Sequence, residues 1–371
     1  MIPQSSPQWH FARPALAKAY LASFHLGLSS ARGLFARRRM GKTEFLVQDF
    51  MPAAQADGYT CAYVNLWELK SDPALALVAA LHKAVEPRNF AKMWERLNTP
   101  IKKIKASGKF AGTAEAGLEA ELEDSHKVTG TLLMHVMTRF DKSRKKLVLI
   151  IDEAQVLANA ENSAFAHALR AALDLRRERL KVLFAGSSET TLRRMFGRAS
   201  EPFYNWATLE PFPLLGLEFV ESLVKKVAKI SRVPLPLKDA IAAFDALKQT
   251  PLFFREYLDR YLTHPFEGGR GALEVMKAKV FNDVGFEKQW KDLLPTDQLL
   301  LGLIARDTAD LQGNEIRKSV GARLGLDKPV TAGALQNALR RLTDKSIVIR
   351  VDRGVYRFED EVFAEWVRHP D

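Results

Sequence analysis

Gly33-Leu34-Phe35-Ala36-Arg37-Arg38-Arg39-Met40-Gly41-Lys42-Thr43-Glu44 is the stretch on which the reading of this chain turns. Its first three residues form a short apolar run that reads as a strand. After Thr43, the run Glu44-Phe45-Leu46-Val47-Gln48-Asp49-Phe50 reads as a helix with Phe45, Leu46 and Phe50 on one side. A strand, a tight loop and a helix opening on Gly-Lys-Thr is the context of a phosphate-binding loop. Unpaired N–H groups at the helix start point at an anion, and the helix dipole adds to them. Arg38, Arg39, Met40, Gly41 and Glu44 are therefore expected around a nucleotide. Lys42 is placed to reach the β- and γ-phosphates, and the Thr43 hydroxyl to hold Mg2+. The usual pattern opens with a glycine, which turns the chain at no steric cost. Here Ala36, the smallest substitute, holds that position. A Gly-Lys-Thr tripeptide also occurs at helix starts that bind nothing.

A second segment decides between these readings. Lys145-Lys146-Leu147-Val148-Leu149-Ile150-Ile151-Asp152-Glu153 has five consecutive apolar residues, as in a parallel strand covered on both faces. It ends in two carboxylates at the strand's C-terminal tip, where ligands bind in open α/β sheets. Asp152 is expected to hold Mg2+, directly or through water, and Glu153 to polarise the attacking water.

The two segments resemble the Walker A and Walker B elements of the AAA+/STAND class of P-loop ATPases. The arginine-rich loop and the ending Asp152-Glu153-Ala154-Gln155 are most similar to the archaeal-type ATPase family, relatives of the origin-recognition ATPases. The resemblance implies ATP and Mg2+ as ligands; no base-reading motif such as Asn-Lys-x-Asp is visible. It also implies a parallel-sheet P-loop NTPase core, an α-helical lid subdomain and a C-terminal winged helix-turn-helix. In such proteins a polar residue ends the strand beside the Walker B strand and reads the γ-phosphate. Ser187, at the end of the apolar run from Leu180, fits that place, with Ser188 second; either could instead cap the helix that follows. The resemblance puts an arginine that reaches a nucleotide, sometimes a neighbouring subunit's, at Arg198 or Arg194, and the lid arginine at Arg255. A salt bridge with Glu256 or Asp259 is the alternative for Arg255. Phe11 and Arg13 match a segment that packs near the adenine, or belong to a plain surface helix. Gln155 is placed to orient solvent or to pair with Glu153.

At 371 residues the chain has room for two or three domains. A single cysteine, Cys61, excludes an internal disulfide and a cysteine-based metal cluster, and suits a reducing cytoplasm. Met1 to Trp9 lacks the apolar core of a signal peptide, and no apolar run is long enough to span a membrane. The net charge of +11 favours an acidic partner such as nucleic acid, though arginines at a nucleotide site contribute to it.

The expected organisation is an ATPase core over residues 1–213, a helical lid and linker over 214–292, and a winged helix domain over 293–371. Within the core, 87–125 carries a lysine run and then a glutamate run, and reads as an insertion or an opposed hairpin. The helix over 162–179 bears Arg170, Arg176, Arg177 and Arg179, read as a solvated face. Pro265 to Gly271 reads as a linker. In the last domain, Thr331 to Lys345 presents Gln336, Asn337, Arg340 and Arg341 outward, and 347–358 forms an arginine-tipped wing. Segment 331–357 therefore suits duplex DNA. The expected function is a nucleotide-gated switch with slow Mg2+-dependent ATP hydrolysis. The alternatives are a scaffold that holds nucleotide without turnover, docking protein or DNA, and an oligomeric transposition or defence helper assembling through Arg198.

Overall fold

Five parallel strands form the sheet of this computed structural model, which describes residues 7–69, 72–87, 129–231, 233–281, 284–306, 308, 310–352 and 354–368. They are β1 (Ala31–Phe35), β2 (Tyr59–Asn65), β3 (Lys146–Asp152), β4 (Leu180–Gly186) and β5 (Thr208–Pro211), in the order β2-β3-β4-β1-β5. Every neighbouring pair is parallel, which requires crossover helices and covers both faces. Leu147 to Ile151 of β3 are accordingly all buried, the pattern expected from the unbroken apolar run.

On one face lie α1 (Pro14–His25) and the helix that leaves the loop after β1. That helix, α2, runs as Lys42–Phe45, continues through a π-helical turn at Leu46–Phe50, and ends as Met51–Ala56. Phe45, Leu46 and Phe50 all face the sheet and are fully buried. On the other face lie α3 (Pro73–Val85), α4 (residues 129–142) and α5 (Ser163–Asp174). The hairpin expected over 87–125 lies, beyond residue 87, outside the described residues, as does Arg353 of the expected wing. A cluster of rings closes this face. Phe184 of β4 meets Phe196, Phe203 and Trp206 with centroids 5.2, 5.4 and 5.8 Å away, mostly edge to face.

After β4 comes α6 (Glu189–Gly197), and after β5 the chain is helical: α7 (Leu217–Ala228), α8 (Leu237–Ala246), α9 (Pro251–Thr263), α10 (Gly268–Phe281) and α11 (Val284–Lys291). Then follow α12 (Pro295–Ala305), α13 (Asn314–Arg323), α14 (Ala332–Asp344), the antiparallel hairpin β6 (Val348–Asp352) and β7 (Val355–Phe358), and α15 (Glu361–Arg368). One apolar cluster runs from Phe219 to Val367, so segments 214–292 and 293–371 share a continuous core.

Three local expectations are corrected. Residues 265–271 are not a linker: a 3-10 turn at Pro265–Glu267 leads straight into α10. Gly269 lets that helix approach α9, where an added Cβ would lie 3.0 Å from the Tyr257 hydroxyl. The helix over 162–179 stops at Asp174, and of the four arginines Arg177 is exposed as expected while Arg170, Arg176 and Arg179 are not. Arg176 donates to Asp141 (2.8 Å) and the Ala172 carbonyl (2.7 Å), Arg179 lies over Phe140, and Arg170 lies over Trp206 and pairs with Asp174. Arg341 is not on the outward face of α14; it pairs with buried Asp297 of α12, Nε donating at 3.2 Å.

Phe184 fills the centre of the ring cluster and is fully buried. Phe184→Ala should lower the unfolding free energy by about 3–5 kcal/mol, measured by urea denaturation. A loss below about 1 kcal/mol would contradict the packing described.

Candidate functional site

β1 ends at Phe35, and the Ala36 N–H still donates to the Gly186 carbonyl of β4 at 3.3 Å. The loop then turns through two left-handed positions, Arg39 (φ 69°) and Gly41 (φ 82°). Ala36 is not among the residues of positive φ, so its position makes no demand that only glycine meets. Arg39 is an uncommon residue in such a conformation, at a cost of order 1–3 kcal/mol. Its guanidinium rests over the Phe253 ring of α9 at 4.9 Å. Arg38 lies over Trp67, 4.5 Å from the ring centroid, and Arg37 donates to the Lys248 carbonyl just before α9. Met40 is buried.

Lys42 opens α2 with its side chain folded into the loop. Nζ donates to the carbonyls of Ala36 (2.5 Å) and Arg37 (3.2 Å), and the residue is 6% exposed. Burial pushes this amine below the ordinary lysine value; the charges of Glu153 and Asp152 oppose the shift.

The tip of β3 meets this loop. Asp152 is fully buried, and its Oδ2 accepts from the Thr43 hydroxyl at 2.5 Å and from the Tyr63 hydroxyl of β2 at 3.2 Å. Burial is the main force pushing the Asp152 carboxyl up from its ordinary value; the Thr43 bond and Lys42 pull it back, while Glu153 adds to the rise. Glu153 itself is a left-handed residue (φ 55°), which turns the chain off the strand. Its Oε2 accepts from Gln155 Nε2 (2.6 Å) and Ser187 Oγ (2.8 Å), and Gln155 also donates to Ser187 at 3.2 Å. Gly186 makes this triangle possible: a Cβ there would stand 2.2 Å from Gln155 Oε1.

The two serines after β4 thus separate. Ser187 joins Glu153, whereas Ser188 caps α6, accepting from the Thr191 N–H at 3.3 Å. Ser188 also bonds Ser346 (3.0 Å), and Glu359 accepts from the Thr190 N–H (3.0 Å), so the C-terminal hairpin region sits against the start of α6.

Arg255 of α9 reaches the loop helix and not its own neighbours: Nη2 donates to Glu44 Oε1 (2.9 Å) and to the Trp9 carbonyl (3.1 Å). Glu44 Oε1 also bonds His10 Nδ1 at 2.9 Å, and His10 Nε2 bonds Asp49 Oδ1 at 3.0 Å. Residues 9–13 therefore form a strap between α2 and the helices after β5, fastened further by Lys226 Nζ on the His10 carbonyl (2.9 Å). A small pocket beside the loop is lined by Phe11, Arg13, Met40, Gly41, Phe212 and Arg255 among others. Arg13 caps it, lying over Phe212 at 4.7 Å. Arg198 does not join any of these groups; it lines a separate crevice against α14 and the β6–β7 hairpin.

Lys42, Thr43, Asp152, Glu153 and Ser187 are thus gathered at the C-terminal ends of β1, β3 and β4, with Arg255 one side chain away through Glu44. Sequence reasoning missed the Tyr63 hydroxyl and the His10 strap. The β2–β3 register, with Tyr63 beside Ile150 and Asn65 beside Asp152, puts the tyrosine within reach, but only the folded sheet supplies it.

No protein-family model matches the sequence, and neither does any curated protein. Solved structures do match. A Walker-type ATPase of Pyrococcus abyssi aligns over 100% of this chain and 99% of its own, with TM-score 0.61 at 18% identity. The Aeropyrum pernix ORC2 protein, in its ADPNP–ADP complexes, aligns over 95% and 92% with TM-score 0.57 at 15% identity. The likeness is one of fold: the parallel five-stranded sheet and helices of the P-loop ATPases. Among the described residues no helix is long and apolar enough to cross a membrane.

His10 sits between Glu44 and Asp49, with Arg255 also on Glu44 and the Arg13 N–H on Asp49. The Glu44 bond is the largest force raising its pKa above the ordinary 6.5. A raised histidine contributes stability that is full below pH 6.5 and lost as pH climbs through the folded-state value. The melting temperature of wild type should therefore exceed that of His10→Gln most below pH 6.5, with the gap closing as pH rises. A gap that widens with pH would contradict the clasp.

Proposed function

We propose that the chain binds ATP in this site and hydrolyses it slowly, using the nucleotide as a switch between the sheet domain and the helices that follow. The observation that carries the reading is the 2.5 Å bond from Thr43 to Asp152, which brings the start of the loop helix and the acidic strand tip to one point. In this reading residues 1–213 are the ATPase core, 214–292 the lid and 293–371 a winged helix domain that contacts duplex DNA through 331–357.

The donor set supports it. Among the described residues no three His, Cys, Asp or Glu side chains are grouped to hold a metal alone. One buried carboxylate with one hydroxyl instead suits Mg2+ shared with phosphate oxygens. Thr43 and Asp152 would hold the ion, which when bound neutralises charge on the phosphates. Tyr63 fixes the Asp152 carboxylate by its hydrogen bond. Lys42 would exchange its two loop carbonyls for phosphate oxygens, with the amides of Arg38 to Glu44 around them. Met40, Phe11 and Arg13 would flank the base in the pocket beside the loop. Glu153 would orient and deprotonate the attacking water, with Gln155 and Ser187 controlling where its carboxylate points. That arrangement supports slow turnover: Glu153 is engaged by two donors and would release one to accept from water. Arg255 is positioned to report closure, because its partner Glu44 directly follows Thr43.

The same engagement of Glu153 gives the second reading, nucleotide held without turnover, its specific support. Two measurements separate them. Lys42→Ala should abolish ATP binding in calorimetry. Glu153→Gln should keep binding but cut phosphate release by about a hundredfold or more. Wild type that binds ATP yet releases no phosphate would establish the holding role; unchanged binding in Lys42→Ala would remove the site assignment altogether.

A further inference from the structure

Arg198 lies just beyond α6, in the sheet domain, yet it does not face the loop of Lys42. It lines a crevice whose other walls are Gln336, Asn337 and Arg340 of α14, Arg350 of β6 and Tyr356 of β7. Among the described residues, three guanidinium groups, two side-chain amides and two hydroxyls, counting Thr343, line this space, with one carboxylate, Asp344. Arg198 and Arg340 are exposed, so their charge is presented to solvent.

The chemistry of this lining selects its ligand. Guanidinium forks match the paired oxygens of a phosphodiester, and amides and hydroxyls donate to the same oxygens. The three arginines are contributed by separate segments, which suits an extended polyanion better than a point anion. The net charge of +11 supplies attraction at longer range. The hairpin carrying two walls is held against the sheet domain by Arg357 on Glu189 (3.0 Å) and by Glu359 on the Thr190 N–H (3.0 Å), and Arg198 and α14 line the same slot.

We propose that this crevice is a phosphodiester-binding slot built jointly by Arg198 of the sheet domain and by α14 with its hairpin, so that one duplex bridges both. The inference rests on the reading of 331–357 as a DNA-contacting segment and adds to it a residue outside that segment. The slot makes duplex binding depend on the docking of the C-terminal region onto α6, two residues from Ser187. DNA and nucleotide thereby act on one interface.

The test is fluorescence anisotropy with a fluorescein-labelled 20-base-pair duplex, as a probe of chosen length, titrated across KCl concentrations with the full chain. Arg198→Ala and Arg340→Ala should each weaken binding about three- to tenfold and reduce the salt slope by about one. Binding of a fluorescent ATP analogue to Arg198→Ala should match wild type, and its melting temperature should be unchanged because the side chain is exposed. If Arg340→Ala weakens the duplex and Arg198→Ala does not, the joint slot is wrong while the DNA reading stands. If wild type does not bind the duplex, both fall. If Arg198→Ala alters self-association on sizing but not duplex affinity, the occupant is a second copy and the proposal is overturned.

Discussion

Everything in this molecule depends on a bridge between two strands that do not touch. β1, which leads into the loop of Lys42, and β3, which carries the carboxylates, are separated by β4. Strand spacing puts them about 10 Å apart. The gap is closed above the tip of β4 by side chains: Thr43 reaches Asp152, and Ser187 reaches Glu153. This works only if β4 ends in small residues. Gly186 has no room for a Cβ, and Ser187 supplies a hydroxyl of the right length. The constraint extends back into the sheet, where the apolar runs of β3 and β4 bury both faces and hold the tips in register.

A second set of contacts ties the loop to the helices beyond β5. Arg37 bonds the Lys248 carbonyl, Arg39 covers Phe253, and Arg255 bonds Glu44. The arginine run is thus divided between roles, with Arg38 turned to Trp67 on the sheet side. The strap through His10 runs alongside and joins the same two bodies. These contacts join the loop of Lys42 to α9, and α9 shares an apolar core with the C-terminal helices. Arg39 holds its left-handed backbone with its guanidinium over Phe253, and Glu153 holds its own with Gln155 and Ser187 on its carboxylate.

Much of the candidate site is legible in the sequence because its signals are local. A Gly-Lys-Thr at a helix start and a five-residue apolar run ending in Asp-Glu each carry their chemistry in consecutive residues. The parallel sheet followed from the same runs. Ala36 stands at the first loop position without positive φ for a reason the sequence does not hold: the left-handed turns fall at Arg39 and Gly41. Long-range pairings stayed hidden. Nothing near Arg255 announces Glu44, nothing near Arg341 announces buried Asp297, and arginines spaced along a helix look solvated until their partners on α4 appear. Ser187 and Ser188 are chemically alike and adjacent, and only the start of α6 tells the cap from the neighbour of Glu153.

The central claim is that Thr43 and Asp152 together form one end of a metal–triphosphate site. Calorimetric titration of ATP with and without Mg2+, into wild type and Asp152→Asn, tests it most directly. The account requires Mg2+ to strengthen ATP binding to wild type by about tenfold or more, about 1.4 kcal/mol, and to leave the variant's affinity unchanged. An equal Mg2+ effect in both proteins would contradict it.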